Sequence, residues 1–367
     1  MSLSQKLFCP AALLAVCFSL LADNALAQHY TETDLTANRS GVSNAANIDP
    51  NLVNPWGLSR SSGSPWWDSD NGTGLSTLYD LNGVPQSLVV TIPPPKGQNG
   101  TAAPTGTVYN YTTSFEAAPG QPSVFLFATE DGTISGWNPN VNQTNAVLLV
   151  DHNAQGAIYK GIALASTSAG PRIFVSNFAS GEVEVYDGKF HQIKTGPGDF
   201  TDSRLPKNYV PFGIQNVGNN IVVAFAQRTP GSEDENDGPG LGYVDVFDTK
   251  GNLLLRLQHG QFLNAPWGIA ESPADFGAFS HRLLVGNFGD GKINVFNEFS
   301  GKFEGQLLNS DGSTISIDGL WAISFAGGNT KSGAANTLYF TAGLNDEADG
   351  LFGNIVPVST EQRGNTE

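Results

Sequence analysis

From Tyr30 onward, apolar and polar residues alternate in runs of about five, the period at which one face of a β-strand is buried and the other is not. Most runs are entered through a glycine with an aromatic or large apolar residue five positions on: Gly74/Tyr79, Gly132/Trp137, Gly181/Tyr186, Gly242/Phe247, Gly291/Phe296 and Gly350/Ile355. A glycine followed by alternating apolar residues is a strand leaving a tight turn. Upstream of each pair sits a second marker, a small residue behind a larger one: Trp56-Gly57, Thr105-Gly106, Lys160-Gly161, Phe212-Gly213, Trp267-Gly268 and Trp321-Ala322. The small residues are 49, 55, 52, 55 and 54 positions apart. Two independent markers sharing a period of roughly fifty residues, with several short strands in each, predict an all-β, six-bladed β-propeller.

The pattern also predicts strands. The second strand of each blade falls at 65–67, 124–128, 173–176, 221–226, 283–286 and 338–341, and the clearest outer strands at 86–92, 146–150 and 252–257. Residues 30–36, ahead of the first marker, alternate like a strand, whereas the chain after Phe352 is short. The N-terminal strand is therefore expected to complete the sixth blade and close the ring. Insertions stand at 93–104, 191–211 and 230–240.

The first 27 residues carry Lys6, an apolar run from Leu7 to Leu21, and Ala25-Leu26-Ala27 before Gln28. They read as a secretory signal peptide with too short an apolar core to span a membrane. The expected organisation is a leader at 1–27, one propeller domain at 28–358 and a polar tail at 359–367, in a secreted or periplasmic monomer. Both cysteines, Cys9 and Cys17, lie in the leader, which excludes thiol catalysis, cysteine-based zinc sites and disulfides from the remainder. The net charge of -16, with 18 basic residues against 34 acidic ones, argues against nucleic acid and anionic membrane surfaces as partners. The 43 glycines and few charges suit a turn-rich β protein. Asn38, Asn71, Asn99, Asn110 and Asn142 begin Asn-x-Ser/Thr sequons, which matter only in a glycosylating pathway.

Two sets of residues carry candidate chemistry. In propellers, the loops entering the first strand and those joining the second to the third emerge on one face, around the channel mouth. Those turns hold Asp68, Asp70 and Asn71, then Glu130 and Asp131, Asn177, Gln227 and Arg228, Asn287 and Asp290, and finally Asn345, Asp346 and Glu347. A ring of amides and carboxylates can assemble an all-oxygen site for a hard cation such as calcium; Asn and Asp are equally the residues that turns prefer for their own hydrogen bonding. The larger residues of the first marker form a second ring, Trp56, Thr105, Lys160, Phe212, Trp267 and Trp321, able either to stack on a sugar or aromatic ligand or to pack between blades. Lys160 requires a partner among Glu130, Asp131 or Asp151 if it is buried. The acidic loop at Glu233 to Asp237 reads as a solvated loop, with calcium binding as the alternative. The five histidines show no metal-binding spacing. Hydrolase elbow, zincin, phosphate-loop and dinucleotide motifs are missing from the sequence.

The segments Asn54-Pro55-Trp56-Gly57-Leu58, Phe127-Ala128-Thr129-Glu130-Asp131-Gly132, Ala157-Ile158-Tyr159-Lys160-Gly161, Leu263-Asn264-Ala265-Pro266-Trp267-Gly268 and Phe340-Thr341-Ala342-Gly343 resemble the signature of a family of secreted, uncharacterised propeller proteins. Some members carry a C-terminal sorting signal that this chain lacks. The resemblance spans nearly the whole chain after the leader; it implies six blades and no established activity. More distantly, the repeats are similar to NHL-repeat and gluconolactonase/regucalcin-type propellers; the latter hold a divalent cation with a glutamate, asparagines and an aspartate. The leading expectation is a binder of a small molecule, glycan or protein on the channel face, through Trp56, Lys160, Phe212, Trp267 and Trp321. The alternative is a metal-dependent lactonase or esterase, with a cation on Glu130, Asn177 and Asn287 and with Asp346 or Asp131 activating water. A structural envelope or matrix protein is a third possibility.

Overall fold

A computed structural model describes residues 28–359. The leader at 1–27 and all but the first residue of the polar tail lie outside the described residues. Six antiparallel sheets follow one another along the chain. Their innermost strands are Pro55–Ser59, Pro104–Tyr109, Tyr159–Thr167, Tyr209–Val217, Pro266–Glu271 and Leu320–Phe325. Each packs against the innermost strands of both neighbours, and the sixth returns to the first, so the sheets form a closed ring of blades.

The small residue of the first marker exists because the inner strands run close together. A Cβ on Gly57 would stand 2.5 Å from the Thr105 carbonyl oxygen, and one on Gly106 2.7 Å from the Ile162 nitrogen. One on Gly268 would stand 2.5 Å from the Trp321 oxygen, and one on Gly213 would overlap the Trp267 carbonyl. Side chains bind the same seams. Thr105 Oγ1 donates to the Tyr159 carbonyl at 2.8 Å, Ser176 Oγ to Phe212 at 2.6 Å and Thr341 Oγ1 to Trp56 at 2.7 Å. The second marker is the turn into the third strand, with Gly132, Gly181 and Gly291 at φ 73°, 77° and 67°.

The second strands are Trp66–Asp70, Phe125–Thr129, Gly170–Asn177, Asn220–Arg228, Arg282–Asn287 and Leu338–Ala342, within a few residues of expectation. The N-terminal strand, His29–Ala37, pairs antiparallel with Leu351–Pro357 as the outer strand of the sixth blade. Tyr30, fully buried, anchors it by donating from its hydroxyl to the Phe276 carbonyl at 3.0 Å. Two details are additional to the sequence reading. A short hairpin, Glu116–Ala118 with Gln121–Pro122, is inserted in the second blade. Within the acidic insertion, Glu235–Asn236 adds to the second strand of the fourth blade.

Candidate functional site

At the end of the channel where the inner strands begin, the first marker's aromatics meet one another. The Trp56 and Trp321 rings stack with centroids 3.5 Å apart, and Phe212 and Trp267 meet them edge-on at 5.8–6.4 Å. Phe288 stacks on Trp321 from the other side at 4.2 Å. Trp267 Nε1 donates to the Lys160 carbonyl and Trp321 Nε1 to Asn54 Oδ1. Trp56, Phe212, Trp267 and Trp321 are all buried. The ring is thus a plug of side chains across the axis.

Lys160 sits over this plug, 1% exposed, with Nζ 5.0 Å from the Trp56 ring and 5.4 Å from Phe178. Its partner is Glu130 Oε1 at 2.5 Å, with Asp234 at 3.8 Å and Glu235 at 4.0 Å. Burial opposes its charge, but Glu130 and Glu235 outweigh burial and hold the ammonium above its ordinary pKa. Glu235 is pushed up to about 7 by burial, against the pull of Lys160. Glu347 is pushed up to about 7 by burial and then by Glu130. One lysine therefore faces four acids, two of which change charge near neutrality. Glu235 reaches this place only because the acidic insertion folds back onto its blade, so that loop supplies part of the mouth.

The residues expected to hold a cation are engaged separately. Glu130 Oε2 accepts from Asn71, its other oxygen from Lys160. Asn177 Oδ1 accepts from the Ala179 and Ser180 amides of its own turn and from the Ile158 amide ahead of the innermost strand, and Nδ2 donates to Glu184. Asn287 Nδ2 donates to the Phe262 carbonyl and to Asp290 within the fifth blade. Among the described residues, no three Asp, Glu, His or Cys side chains are grouped to hold a metal. Asn287 Oδ1 is buried without a hydrogen-bond partner. Asp131 accepts from the Ala103 amide, and Asp346 lies exposed at a left-handed φ of 52°. His152 joins Tyr159, Tyr186 and Glu184 in a hydrogen-bonded cluster beside Asn177.

The channel opens at the other end. A cavity of about 390 Å³ lies there, lined by the far ends of all six inner strands. Its wall includes Arg60, Tyr109, Leu164, Asn216, Glu271 and Phe325. Each stands four residues after the larger residue of the first marker, so one inner strand carries both mouths. That count was available from the sequence, but these six residues share no type and so form no visible repeat. Arg60 donates through Nε and Nη2 to the Phe325 carbonyl, and its ring-facing side lies over Trp66. Burial lowers its pKa, and no carboxylate among the described residues is placed as its ion pair. Across the opening, burial and then Glu298 raise the pKa of Glu271. Tyr111 at the rim is 53% exposed.

This arrangement, an axis plugged by indoles at one end and open at the other, defines a six-bladed β-propeller with a one-sided cavity. No protein-family model matches the chain. It is 31% identical over 330 residues to Uncharacterized protein R648 of Acanthamoeba polyphaga mimivirus, covering 88% of this chain and 78% of that protein. It is 30% identical over 331 residues to Uncharacterized protein L690 of the same virus, covering 88% and 84%. The chain belongs to the family that contains these two proteins. A solved glucose dehydrogenase superposes with a TM-score of 0.55 over 90% of this chain and 100% of that one at 12% identity, a likeness of fold alone.

Proposed function

We propose that the protein is a secreted or periplasmic binding protein that takes a glycan, or a similarly hydroxyl-rich small molecule, at the open mouth. The observation that carries this reading is the 390 Å³ cavity ringed by a cation, a phenol, an amide and a carboxylate: Arg60, Tyr109, Asn216 and Glu271. Sugar hydroxyls accept from a guanidinium and an amide and donate to a carboxylate, while a sugar's C–H face stacks on a tyrosine ring. The volume falls in the range of small-molecule sites. The leader read in residues 1–27 supports export from the cytoplasm. An oligosaccharide array followed by calorimetry tests the reading. Arg60→Ala and Tyr109→Ala should each weaken the best binder at least tenfold, with Glu130→Gln unchanged. Equal binding by all three variants, or an array without a binder, rejects it.

A second reading, hydrolysis of an ester or lactone, rests on the plugged mouth, where Glu235 and Glu347 both titrate near neutrality beside Lys160. Carboxyl groups so placed can exchange protons at physiological pH. The reading invokes these carboxyl groups and no cation. Turnover of a lactone panel that disappears in Glu235→Gln and Glu347→Gln would favour it over binding alone.

A further inference from the structure

We propose a second site, separate from both mouths: a hard divalent cation, with calcium as the fitting ion, held by Asp68 and Asp70 in the seam between the first and sixth blades. The two aspartates alternate with Trp66 onto one face of the strand Trp66–Asp70. Trp66 packs on Tyr339 of the sixth blade, ring centroids 4.8 Å apart, so this face is the inter-blade face. Both carboxylates are fully buried. Neither oxygen of Asp68 has a hydrogen-bond partner, and nor does Oδ1 of Asp70, whose Oδ2 accepts from Thr77 at 2.8 Å.

Three buried, unpartnered carboxylate oxygens on one strand face are otherwise hard to account for. A buried carboxylate without donors forfeits its hydration and gains nothing in return. No basic side chain among the described residues pairs with either aspartate, and the other charge acting on both is Asp49, another acid. Asp49 is already committed: Oδ1 accepts from Asn51 and Oδ2 from the Tyr79 hydroxyl at 3.0 Å. The donor set is therefore two carboxylates, consistent with the absence of any three-acid group, and the remaining ligands of an oxygen-seeking cation would be main-chain carbonyls, the Thr77 hydroxyl and water.

The test uses the purified full-length protein and calcium alone as the probe. Native mass spectrometry should find one calcium per chain, lost on dialysis against chelator. Restoring calcium should raise the melting temperature by about 3–5 °C, because an ion that binds only the folded chain stabilises it by mass action. Asp70→Asn and the double variant Asp68→Asn/Asp70→Asn should abolish both signals, and Glu130→Gln should keep them. A wild-type protein without stoichiometric calcium and without a calcium-dependent shift overturns the proposal. So does a melting temperature that ignores calcium and, in a Glu235→Gln background, still rises on acidification from pH 8 to pH 5, which would mean protons occupy the pair. Loss of the response in Glu130→Gln with retention in Asp70→Asn overturns it by moving the ion to the mouth. Should the variants not fold, the wild-type stoichiometry and chelation shift decide alone.

Discussion

Lys160 shows how a single residue organises the closed mouth. It is a cation buried among four acids and two aromatic rings, so its removal strands charge rather than exposing space. Lys160→Met should cost about 3–5 kcal/mol in urea unfolding, the usual penalty for breaking a buried ion pair from one side. Adding Glu130→Gln should recover part of that loss, and a double variant no better than the single one would refute the pairing. Glu235, only 6% exposed, makes the complementary prediction in pH. Its folded-state pKa of about 7 lies above the ordinary 4.5, so between these values the folded chain holds a proton that the unfolded chain has released. Stability from this group is therefore present at low pH and falls as pH rises through that window, by roughly 2–3 kcal/mol. Glu235→Gln should flatten the profile measured from pH 4.5 to pH 8. An unchanged slope would mean that the carboxyl stays solvated.

At the scale of the strand, the first marker makes two jobs visible in one dipeptide: the larger residue closes the axis and the smaller one lets neighbouring backbones approach. The glycines differ in how much room they leave, which gives a graded test. A Cβ on Gly161 would meet a flexible Ile214 methyl at 3.1 Å and the Phe212 oxygen at 3.3 Å, whereas on Gly213 it would overlap the Trp267 carbonyl. Gly161→Ala should shift the melting temperature little; Gly213→Ala should destabilise by more than about 2 kcal/mol, since backbone must move to admit it. Equal effects would show that the inner strands separate freely. The same comparison explains what was legible beforehand. Strands, blade count and ring closure could be read because burial on alternate positions and crowding at the axis recur in every blade. Glu235 could not be placed, because an acidic insertion without periodicity bears no trace of the short pairing that folds it back over Lys160. The open mouth bears no visible mark for another reason: Arg60, Tyr109, Asn216 and Glu271 occupy equivalent positions with unrelated chemistry. Within the oxygen ring expected from the turns, Glu130 pairs with Lys160 and Asn71 and Asn177 caps its own turn, while Asp68 and Asp70 are buried with unpartnered oxygens that residue type alone does not reveal.

For the whole molecule, the decisive contact is the one between the two ends of the chain. Seven residue pairs join His29–Ala37 to Leu351–Pro357, and Asp349 adds ion-paired contacts to Arg39 and a hydrogen bond from Asn38. A ring of small sheets has no single core, so each blade depends on its neighbours, and the sixth depends also on a strand made some 300 residues earlier. Removing residues 28–37 would leave the edge of Leu351–Pro357 unpaired, with Leu351, Phe352 and Ile355, which are buried in the intact ring, close to solvent. Open apolar edges recruit other chains. The truncated protein should therefore melt several degrees lower and associate in light scattering, whereas an equal-length deletion within the 93–104 insertion should leave both measures near those of the intact protein. Supplying residues 28–37 as a separate peptide should return the truncated chain toward the monomer. A truncated chain that melts like the intact one would place the ring's stability in the five other seams and make the N-terminal strand a covering rather than a closure.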